Sequence, residues 1–302
     1  MDAASLAKRF HLVKLVSFDE QNGLTRVHVH SAEATATIYL QGAHLTAWQP
    51  SGREPAIFLS SKSEFAVGKP IRGGVPVVFP WFANDSKKDR VDGHPGPSHG
   101  FARIQDWSLD TVERHGDDVR LVFTQGPTAM SRSMGYDAFL LTLEFLIGPT
   151  LTMAMTVKNT GSQPLHFEDA FHTYYKVADI HEVVVKGLET TSFIDKTDDF
   201  KVKPAAGEPL RFTKRTDRIY NDTIAPITID DVAGRRRIVL HKKGSDTTVT
   251  WNQFGELPDL GPWDWHEYVA IETANVGRNA VTLAAGASAT LVAHSVVGPL
   301  RG

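Results

Sequence analysis

The chain has 302 residues, of which 41% are hydrophobic and 22% charged, and its formal net charge is -3 at pH 7. This is an ordinary globular composition, and it lacks the basic excess that marks an electrostatic nucleic-acid binder. The sequence contains no cysteine, which excludes disulfides, thiolate metal sites and a cysteine nucleophile.

The chain begins MDAASLAKRF, which lacks the apolar run of a signal peptide. No segment reaches the roughly 18 consecutive apolar residues of a transmembrane helix. We therefore expect a cytoplasmic protein. We expect no membrane or nucleic-acid partner, and we expect the chain to act as a monomer.

Strand-like alternation dominates the chain, and turn residues recur at short intervals. Short helical turns are expected only at 3–9 and 60–66, and the polar stretch 195–218 is expected to run over the surface. The predicted strands are 25–30, 35–40, 118–126, 139–148, 150–161, 181–188, 236–244, 247–253 and two around residues 286–287 within 280–297. Many strands without alternating helices predict an all-β antiparallel sandwich or barrel, and we expect one domain over 1–302.

The segment KPIRGGVPVVFPWF, residues 69–82, contains three prolines and two adjacent glycines, which break a regular strand. Gly73 and Gly74 permit close backbone approach beside Arg72, which suits an anion held by a guanidinium fork and nearby amides. On these residues alone, a surface turn with a solvated arginine is the favoured interpretation.

The segment PSHGFARIQDW, residues 97–107, brings His99 and Arg103 to one turn. These two side chains can line a polar pocket. Alternatively the segment is a loop anchored in the core by Phe101 and Trp107, and the segment alone does not decide between the two.

The segment DAFHTYYKV, residues 169–177, is a strand candidate that carries a histidine. Alternation puts His172 and Tyr174 on one face and Phe171 and Tyr175 on the other. A histidine flanked by aromatic residues is more often structural than catalytic, so His172 alone predicts no activity.

The segment YVAIETANV, residues 268–276, places Glu272 on one strand face with Ala270 and Ala274. A carboxylate in an otherwise apolar strand must be paired, neutral or functional, because burying its charge unpaired is costly. A buried ion pair and a pocket floor are equally compatible with this pattern.

Other chemical motifs are missing from the sequence. There is no dinucleotide-binding glycine fingerprint, no P-loop and no HExxH. No histidine or carboxylate spacing supports a metal site, so neither a metal nor a cofactor is expected.

Taken in order, KPIRGGVPVVFPWF, SHGFAR, AFHTYYKV, KRTDRIY and AIETANV resemble the glucose-6-phosphate 1-epimerase branch of the aldose 1-epimerase (mutarotase) superfamily. The resemblance implies a galactose mutarotase-like antiparallel β-supersandwich. It also implies interconversion of the α and β anomers of hexose 6-phosphates, chiefly D-glucose 6-phosphate, without a cofactor. A mutarotase of unphosphorylated aldoses and a non-catalytic sugar-phosphate-binding protein are the alternatives.

The resemblance implies roles for individual residues. His172 and Glu272 match the family's catalytic pair, and the chemistry of ring opening favours Glu272 as base and His172 as acid. The implied substrate-binding residues are Arg72, His99, Arg103 and Asp217, with Arg72 the stronger phosphate candidate. Further phosphate candidates are Lys214, Arg215 and Arg218.

One segment departs from the family pattern and bears on specificity. The lead into the glutamate strand is LGPWDWHEYVAIE, where relatives tend to have an acidic, Gly-Asp-rich sequence. Trp263 and Trp265 can reshape the pocket rim, which concerns the substrate more than the chemistry. A glycoside hydrolase pairing Glu168 or Asp169 with Glu272 ranks last, because no hydrolase motif accompanies them.

Overall fold

The computed structural model describes residues 1–11, 13–84 and 96–300. Its two helices within those ranges are α1 (Ala3–Arg9) and α2 (Ala129–Ser133). Four 3₁₀ turns lie at Ala102–Ile104, Ile180–Glu182, Asp264–His266 and Gly277–Asn279.

Strands form most of the described chain. The first eleven are β1 (Val16–Gln21), β2 (Leu24–His30), β3 (Ala34–Tyr39), β4 (His44–Pro50), β5 (Val77–Val78), β6 (Ser108–His115), β7 (Asp118–Gln125), β8 (Phe139–Ile147), β9 (Thr150–Asn159), β10 (Leu165–Phe167) and β11 (Asp169–Lys176). The others are β12 (Val183–Lys186), β13 (Phe193–Asp195), β14 (Lys201–Lys203), β15 (Leu210–Arg211), β16 (Thr216–Asn221), β17 (Ile227–Asp231), β18 (Arg236–Lys243), β19 (Thr247–Asn252), β20 (Tyr268–Asn275), β21 (Val281–Leu283) and β22 (Ser288–Pro299).

The sequence-based element predictions are largely confirmed. Every predicted strand is present, and the helical turn at 3–9 is α1. The helical turn predicted at 60–66 is wrong, because no helix forms there. The stretch 195–218 is more regular than predicted, since it contains β14 and β15 and enters β16.

Two large sheets build the fold. The seven-stranded sheet has the order β14-β13-β16-β19-β20-β11-β5, and the nine-stranded sheet has the order β15-β12-β17-β18-β22-β9-β8-β7-β6. The named strand pairs are antiparallel, and β1 to β4 form a separate four-stranded sheet. The predicted all-β antiparallel β-supersandwich is confirmed.

The adjacent strands β11 and β20 of the seven-stranded sheet have different neighbours on their two faces. Phe171, Tyr175 and Ile271 join the main apolar core, and the Tyr175 hydroxyl lies 2.8 Å from the Ser295 hydroxyl of β22 in the other sheet. His172 alternates with these residues and therefore lies on the opposite face. The predicted division of faces along β11 is confirmed.

Backbone close approach positions the segment that carries Arg72. Gly74 has φ +67°, and a Cβ there would lie 2.5 Å from the carbonyl oxygen of Leu45. The Gly74 carbonyl accepts a 3.0 Å hydrogen bond from the Tyr174 backbone N–H. Only glycine fits this backbone without strain, and the contact holds Arg72 beside β11.

A second glycine fixes the segment that carries His99. Gly100 has φ +74°, and a Cβ there would lie 2.0 Å from the carbonyl oxygen of Phe79. Residues 79 and 100 form a parallel bridge, so the two segments that frame β11 touch each other. The sequence predicted a turn at His99 but not the contact between Gly100 and Phe79.

The main apolar core contains residues from the four-, seven- and nine-stranded sheets. No helix in the described ranges is both long enough and apolar enough to cross a membrane. That residues 1–302 form one domain stays a prediction.

Candidate active site

His172 and Glu272 lie directly opposite each other on the paired strands β11 and β20. The imidazole Nε2 is 3.3 Å from the carboxylate Oε1. His172 is 8% exposed and Glu272 only 1%, so their interaction is largely removed from water. The strand register thus makes direct neighbours of two ionisable groups that the sequence placed on separate strands.

Each member of this pair has a buried polar atom without a hydrogen-bond partner: Nδ1 of His172 and Oε2 of Glu272. Buried polar atoms are satisfied in the great majority of cases, so two unsatisfied atoms in one pair need an explanation. Hydroxyl groups of a ligand are chemically suited to both atoms.

The two groups have strongly shifted affinities for a proton. Burial raises the pKa of Glu272 well above its usual range, with Lys196 opposing and Asp217 adding to the shift. Burial, reinforced by the positive charges of Arg72 and Arg103, lowers the pKa of His172 to about 3. Both shifts favour the neutral form of each group, so a proton shared by the pair is favoured on the carboxyl group over the imidazole.

Aromatic rings fix the orientation of His172. Its imidazole stacks on the Tyr174 ring at 4.8 Å and 14°, and meets the Trp251 ring edge-on at 6.0 Å. The His99 ring completes the enclosure at 5.5 Å and 82°. Rings packed in this way restrict rotation of the imidazole and hold water away from it.

His99 is held as a hydrogen-bond donor. Its Nδ1 accepts the Ala83 backbone N–H at 3.3 Å, so the neutral ring carries its proton on Nε2. Burial lowers the pKa of His99 well below its usual value, and the charge of Arg103 adds to that shift. His99 can therefore donate from Nε2 at neutral pH without carrying a charge.

Arg72 already has partners on much of its guanidinium group. Its Nε donates to Oδ2 of Asp259 at 2.9 Å, and its Nη2 lies 2.7 Å from the same oxygen. Its Nη1 donates to the Tyr174 hydroxyl at 2.9 Å. A carboxylate thus partly neutralises the arginine that the sequence favoured for phosphate.

Arg103 has a different environment. Its Nη2 donates to the Ser98 carbonyl at 2.7 Å, and its buried Nε has no hydrogen-bond partner. No carboxylate of residues 1–11, 13–84 or 96–300 forms an ion pair with it. Burial lowers the pKa of Arg103 to about 10, so the group stays charged at neutral pH. Among the described residues it has no carboxylate in direct contact, although the charge of Asp259 acts on it at longer range.

Asp217 shares the strand face of Glu272. It pairs across strands with Trp251, which pairs with Ala270, two residues from the glutamate. Lys196 lies 3.2 Å from its Oδ2 and 5.4 Å from the Phe82 ring. Burial raises the pKa of Asp217, while the charge of Lys196 opposes that shift.

Residues 26–294 match the family model described as aldose 1-epimerase. The chain belongs to the aldose 1-epimerase family. Members of this family interconvert sugar anomers, so the chain is a mutarotase-type enzyme of carbohydrate metabolism with a small-molecule sugar as ligand. The face that carries His172 and Glu272 is the candidate active site of this aldose 1-epimerase.

Individual relatives agree with this assignment. A protein of Escherichia coli K12 named "Putative glucose-6-phosphate 1-epimerase" is 33% identical over 258 residues, 83% of each chain. The crystal structure of a "putative mutarotase" from Salmonella typhimurium has a TM-score of 0.88 at 27% identity, covering 98% of this chain and 99% of that one. A galactose mutarotase-like protein from Clostridium acetobutylicum (TM-score 0.72, 14% identity, 94% and 98% coverage) shares the fold.

The structure brings together six of the nine residues predicted from the sequence for this aldose 1-epimerase. The electrostatic and ring contacts above connect His172, Glu272, Arg72, His99, Arg103 and Asp217. The three basic residues of KRTDR are placed differently. Lys214 and Arg215 are exposed, and only Arg215, whose charge lowers the pKa of Asp217, is close to the group.

Arg218 is not part of the group. It pairs across strands with Thr250, which pairs with Ile271, so it lies on the sheet face opposite Glu272. Its guanidinium carbon sits 4.3 Å from the centre of the Phe193 ring. Alternation along β16 explains the separation, because Asp217 and Arg218 are neighbours in sequence.

Sequence reasoning missed three members of the site: Trp251, Lys196 and Asp259. Trp251 lies in a predicted strand, but nothing in the sequence indicates that β19 pairs with β20. Lys196 and Asp259 follow β13 and β19 in irregular segments that match no motif. In the described part of the chain, no three histidine or carboxylate side chains are grouped to hold a metal ion.

Proposed function

We propose that this aldose 1-epimerase interconverts the α and β anomers of a hexose 6-phosphate, chiefly D-glucose 6-phosphate. The observation that carries the phosphate preference is Arg103, a half-buried cation whose buried Nε has no hydrogen-bond partner and which lies beside His99 and the His172–Glu272 pair. A phosphate dianion gains charge-assisted hydrogen bonds from such a group. The name of the relative from Escherichia coli supports the same substrate.

In the proposed reaction the enzyme takes one proton from the sugar and gives one proton to it. A base removes the proton of the C1 hydroxyl, an acid protonates the ring oxygen, and the C1–O5 bond breaks. Rotation about C1–C2 and closure on the other face reverse both transfers. A positioned acid and base typically contribute about 10²–10⁴-fold each to the rate.

Glu272 acts as the base and His172 as the acid in this proposal. In the resting pair the proton lies on Glu272, and transfer across 3.3 Å produces the carboxylate and imidazolium. Both forms hold the same number of protons, so the reactive form is a tautomer of the resting one. Binding of sugar hydroxyls at the unpartnered Nδ1 and Oε2 atoms would compensate the charges that this transfer creates.

His99 and Asp217 are proposed to orient the sugar. His99 offers a neutral N–H donor, and Asp217 offers carboxylate oxygens on the same strand face as Glu272. Because a hydroxyl both donates and accepts, one donor and one acceptor can fix its direction. The cytoplasmic location and the monomeric state stay predictions.

A mutarotase of unphosphorylated aldoses is the second candidate. It is favoured by the pairing of two nearby cations with carboxylates, Arg72 with Asp259 and Lys196 with Asp217. These pairs remove part of the positive charge that a phosphate would use.

Two-dimensional exchange NMR distinguishes the two candidates. The protein is added to equilibrated glucose 6-phosphate, glucose and galactose at matched concentrations, and α/β exchange is measured above the spontaneous rate. We expect acceleration on the phosphosugar and little on the free sugars. Equal acceleration on all three would support the second candidate, and none on any sugar would contradict both.

The pH dependence of this exchange should show a broad plateau. We expect kcat to change by less than about twofold between about pH 5 and pH 6.5, a range that lies above the pKa of His172. The pair gains a second proton only near the pKa of His172, about 3, and loses its single proton only near the raised pKa of Glu272. Below the plateau the base is lost, and above it the acid is lost.

The measurement is kcat at saturating substrate, after subtraction of spontaneous exchange. Saturation matters because a phosphate ester has its own pKa near 6, which would affect kcat/KM. Half-maximal kcat near pH 6.5 would contradict the plateau and give His172 an ordinary pKa.

A further inference from the structure

Asp259 occupies the guanidinium edge of Arg72 that an anionic ligand would otherwise find free. One carboxylate oxygen, Oδ2, receives Nε at 2.9 Å and Nη2 at 2.7 Å. The Tyr174 hydroxyl receives Nη1 at 2.9 Å. Of the five N–H groups of an arginine, these contacts use three.

The segment that carries Asp259, residues 253–267 between β19 and β20, is anchored independently of this ion pair. Leu260 is buried against Phe58, Tyr174 and Tyr268. The Asp264 carboxylate accepts hydrogen bonds from the Ser60 hydroxyl at 2.6 Å and the Gly261 backbone N–H at 2.7 Å. The Asp259 carboxylate is therefore not needed to hold the segment in place.

The Asp259–Arg72 pair is also accessible. The Asp259 side chain is 43% exposed and that of Arg72 27%. Ion pairs with this exposure contribute little to stability, because water competes for both charges. An incoming dianion can therefore displace the carboxylate, while a neutral sugar leaves it in place.

We propose that Asp259 is a specificity-determining residue that offsets the charge of Arg72 and so limits the preference of the site for anionic over neutral sugars. This inference rests on the proposed function. Its physical cause is direct: the carboxylate competes with a phosphate for the same N–H groups and repels the dianion at close range. Arg103, whose buried Nε has no hydrogen-bond partner, provides the remaining phosphate affinity.

The test is the ratio of kcat/KM for glucose 6-phosphate to that for glucose, measured by exchange NMR. Asp259→Asn keeps the size of the side chain and removes its charge. We expect the ratio to rise about tenfold, which corresponds to about 1.4 kcal/mol. Most of the change should appear as a lower KM for the phosphosugar.

Two variants control for other effects of the substitution. Glu256→Gln removes an exposed carboxylate of the same segment and keeps both the Asp264 anchor and the Asp259–Arg72 pair. It should leave the ratio unchanged, within about twofold. Asp259→Glu keeps the charge and should also keep the ratio close to the wild-type value.

An unchanged ratio in Asp259→Asn would overturn the inference. A lower ratio would overturn it too, because Asp259 would then orient Arg72 for the phosphate. Failure of the proposed function would give a different result. A wild-type protein that accelerates anomer exchange only of free sugars would contradict the hexose phosphate substrate. In that case inorganic phosphate is titrated by NMR, and Asp259→Asn must bind it more tightly than wild type for the inference to stand.

Discussion

Replacing Glu272 by glutamine should lower the rate of anomer exchange by about 10²–10⁴-fold. Glutamine keeps the shape of the side chain but cannot accept the proton of the C1 hydroxyl. The side chain is 1% exposed and lies opposite His172, so water cannot readily substitute for the lost base. The measurement is exchange NMR on glucose 6-phosphate at saturating substrate.

Asp169→Asn is the matched control for this substitution. Asp169 is 3% exposed and belongs to β11, but it lies on the face opposite His172. Its Oδ1 accepts a 2.9 Å hydrogen bond from the Asn275 amide, which an asparagine oxygen can also accept. Burial raises the pKa of Asp169 to about 7, so the neutral carboxyl that an asparagine resembles is already well populated near neutral pH. We expect near-wild-type exchange.

A double variant tests whether the two groups act as a unit. Residues that share one proton give strongly non-additive losses, so His172→Asn combined with Glu272→Gln should be about as slow as the slower single variant. Multiplied losses would show independent roles. Wild-type rates in folded Glu272→Gln protein would remove Glu272 from the mechanism.

The sequence was sufficient to predict the strands and the division of their faces. Alternation in DAFHTYYKV separates His172 from Phe171 without any knowledge of tertiary structure, and the structure confirms it. The register between β11 and β20 was not predictable, because strand pairing depends on contacts between distant parts of the chain. The direct pairing of His172 with Glu272 is therefore a result of the structure.

The proton distribution within the pair could not be predicted either. Ordinary pKa values of about 4.3 and 6.5 would leave the carboxyl group ionised and the imidazole partly protonated near neutral pH, whereas burial favours the neutral form of each. Burial follows from packing around Tyr174, Trp251 and His99, and the sequence does not specify that packing. The broad pH plateau is an expectation that only the structure provides.

The ion pair between Arg72 and Asp259 could not be predicted from the sequence either. Asp259 lies in an irregular segment whose path depends on the burial of Leu260 and on the hydrogen bonds that the Asp264 carboxylate accepts. From the sequence alone, Arg72 was the stronger phosphate candidate. In the structure Arg72 forms an ion pair with Asp259, and for this reason our proposal gives the larger phosphate role to Arg103.

Replacing Arg103 by methionine should lower kcat/KM for glucose 6-phosphate by about 10²-fold or more, because losing a buried charge partner costs about 2–5 kcal/mol. The rate on free glucose should change by less than about threefold. Methionine retains much of the apolar stem and removes the guanidinium group. The measurement is exchange NMR on both sugars, with thermal unfolding recorded to show that the variant is folded.

Three further arginine variants show whether the effect belongs to Arg103. Arg218→Met removes a cation from the opposite sheet face and should leave kcat/KM unchanged for both glucose 6-phosphate and glucose. Arg72→Met should reduce the phosphosugar rate less than Arg103→Met, since Asp259 already offsets part of its charge. Arg103→Lys keeps a charge without the planar fork, so it should retain part of the phosphosugar activity if charge is the main cause.

Two outcomes would contradict a phosphate role for Arg103. Equal losses on glucose 6-phosphate and glucose would mean that Arg103 supports the His172–Glu272 pair rather than the phosphate, since its charge also acts on His172. A larger selective loss in Arg72→Met than in Arg103→Met would transfer the main phosphate contact to Arg72. In that case the dianion would have to displace Asp259, and Asp259→Asn should then raise phosphosugar affinity most strongly in protein that retains Arg72.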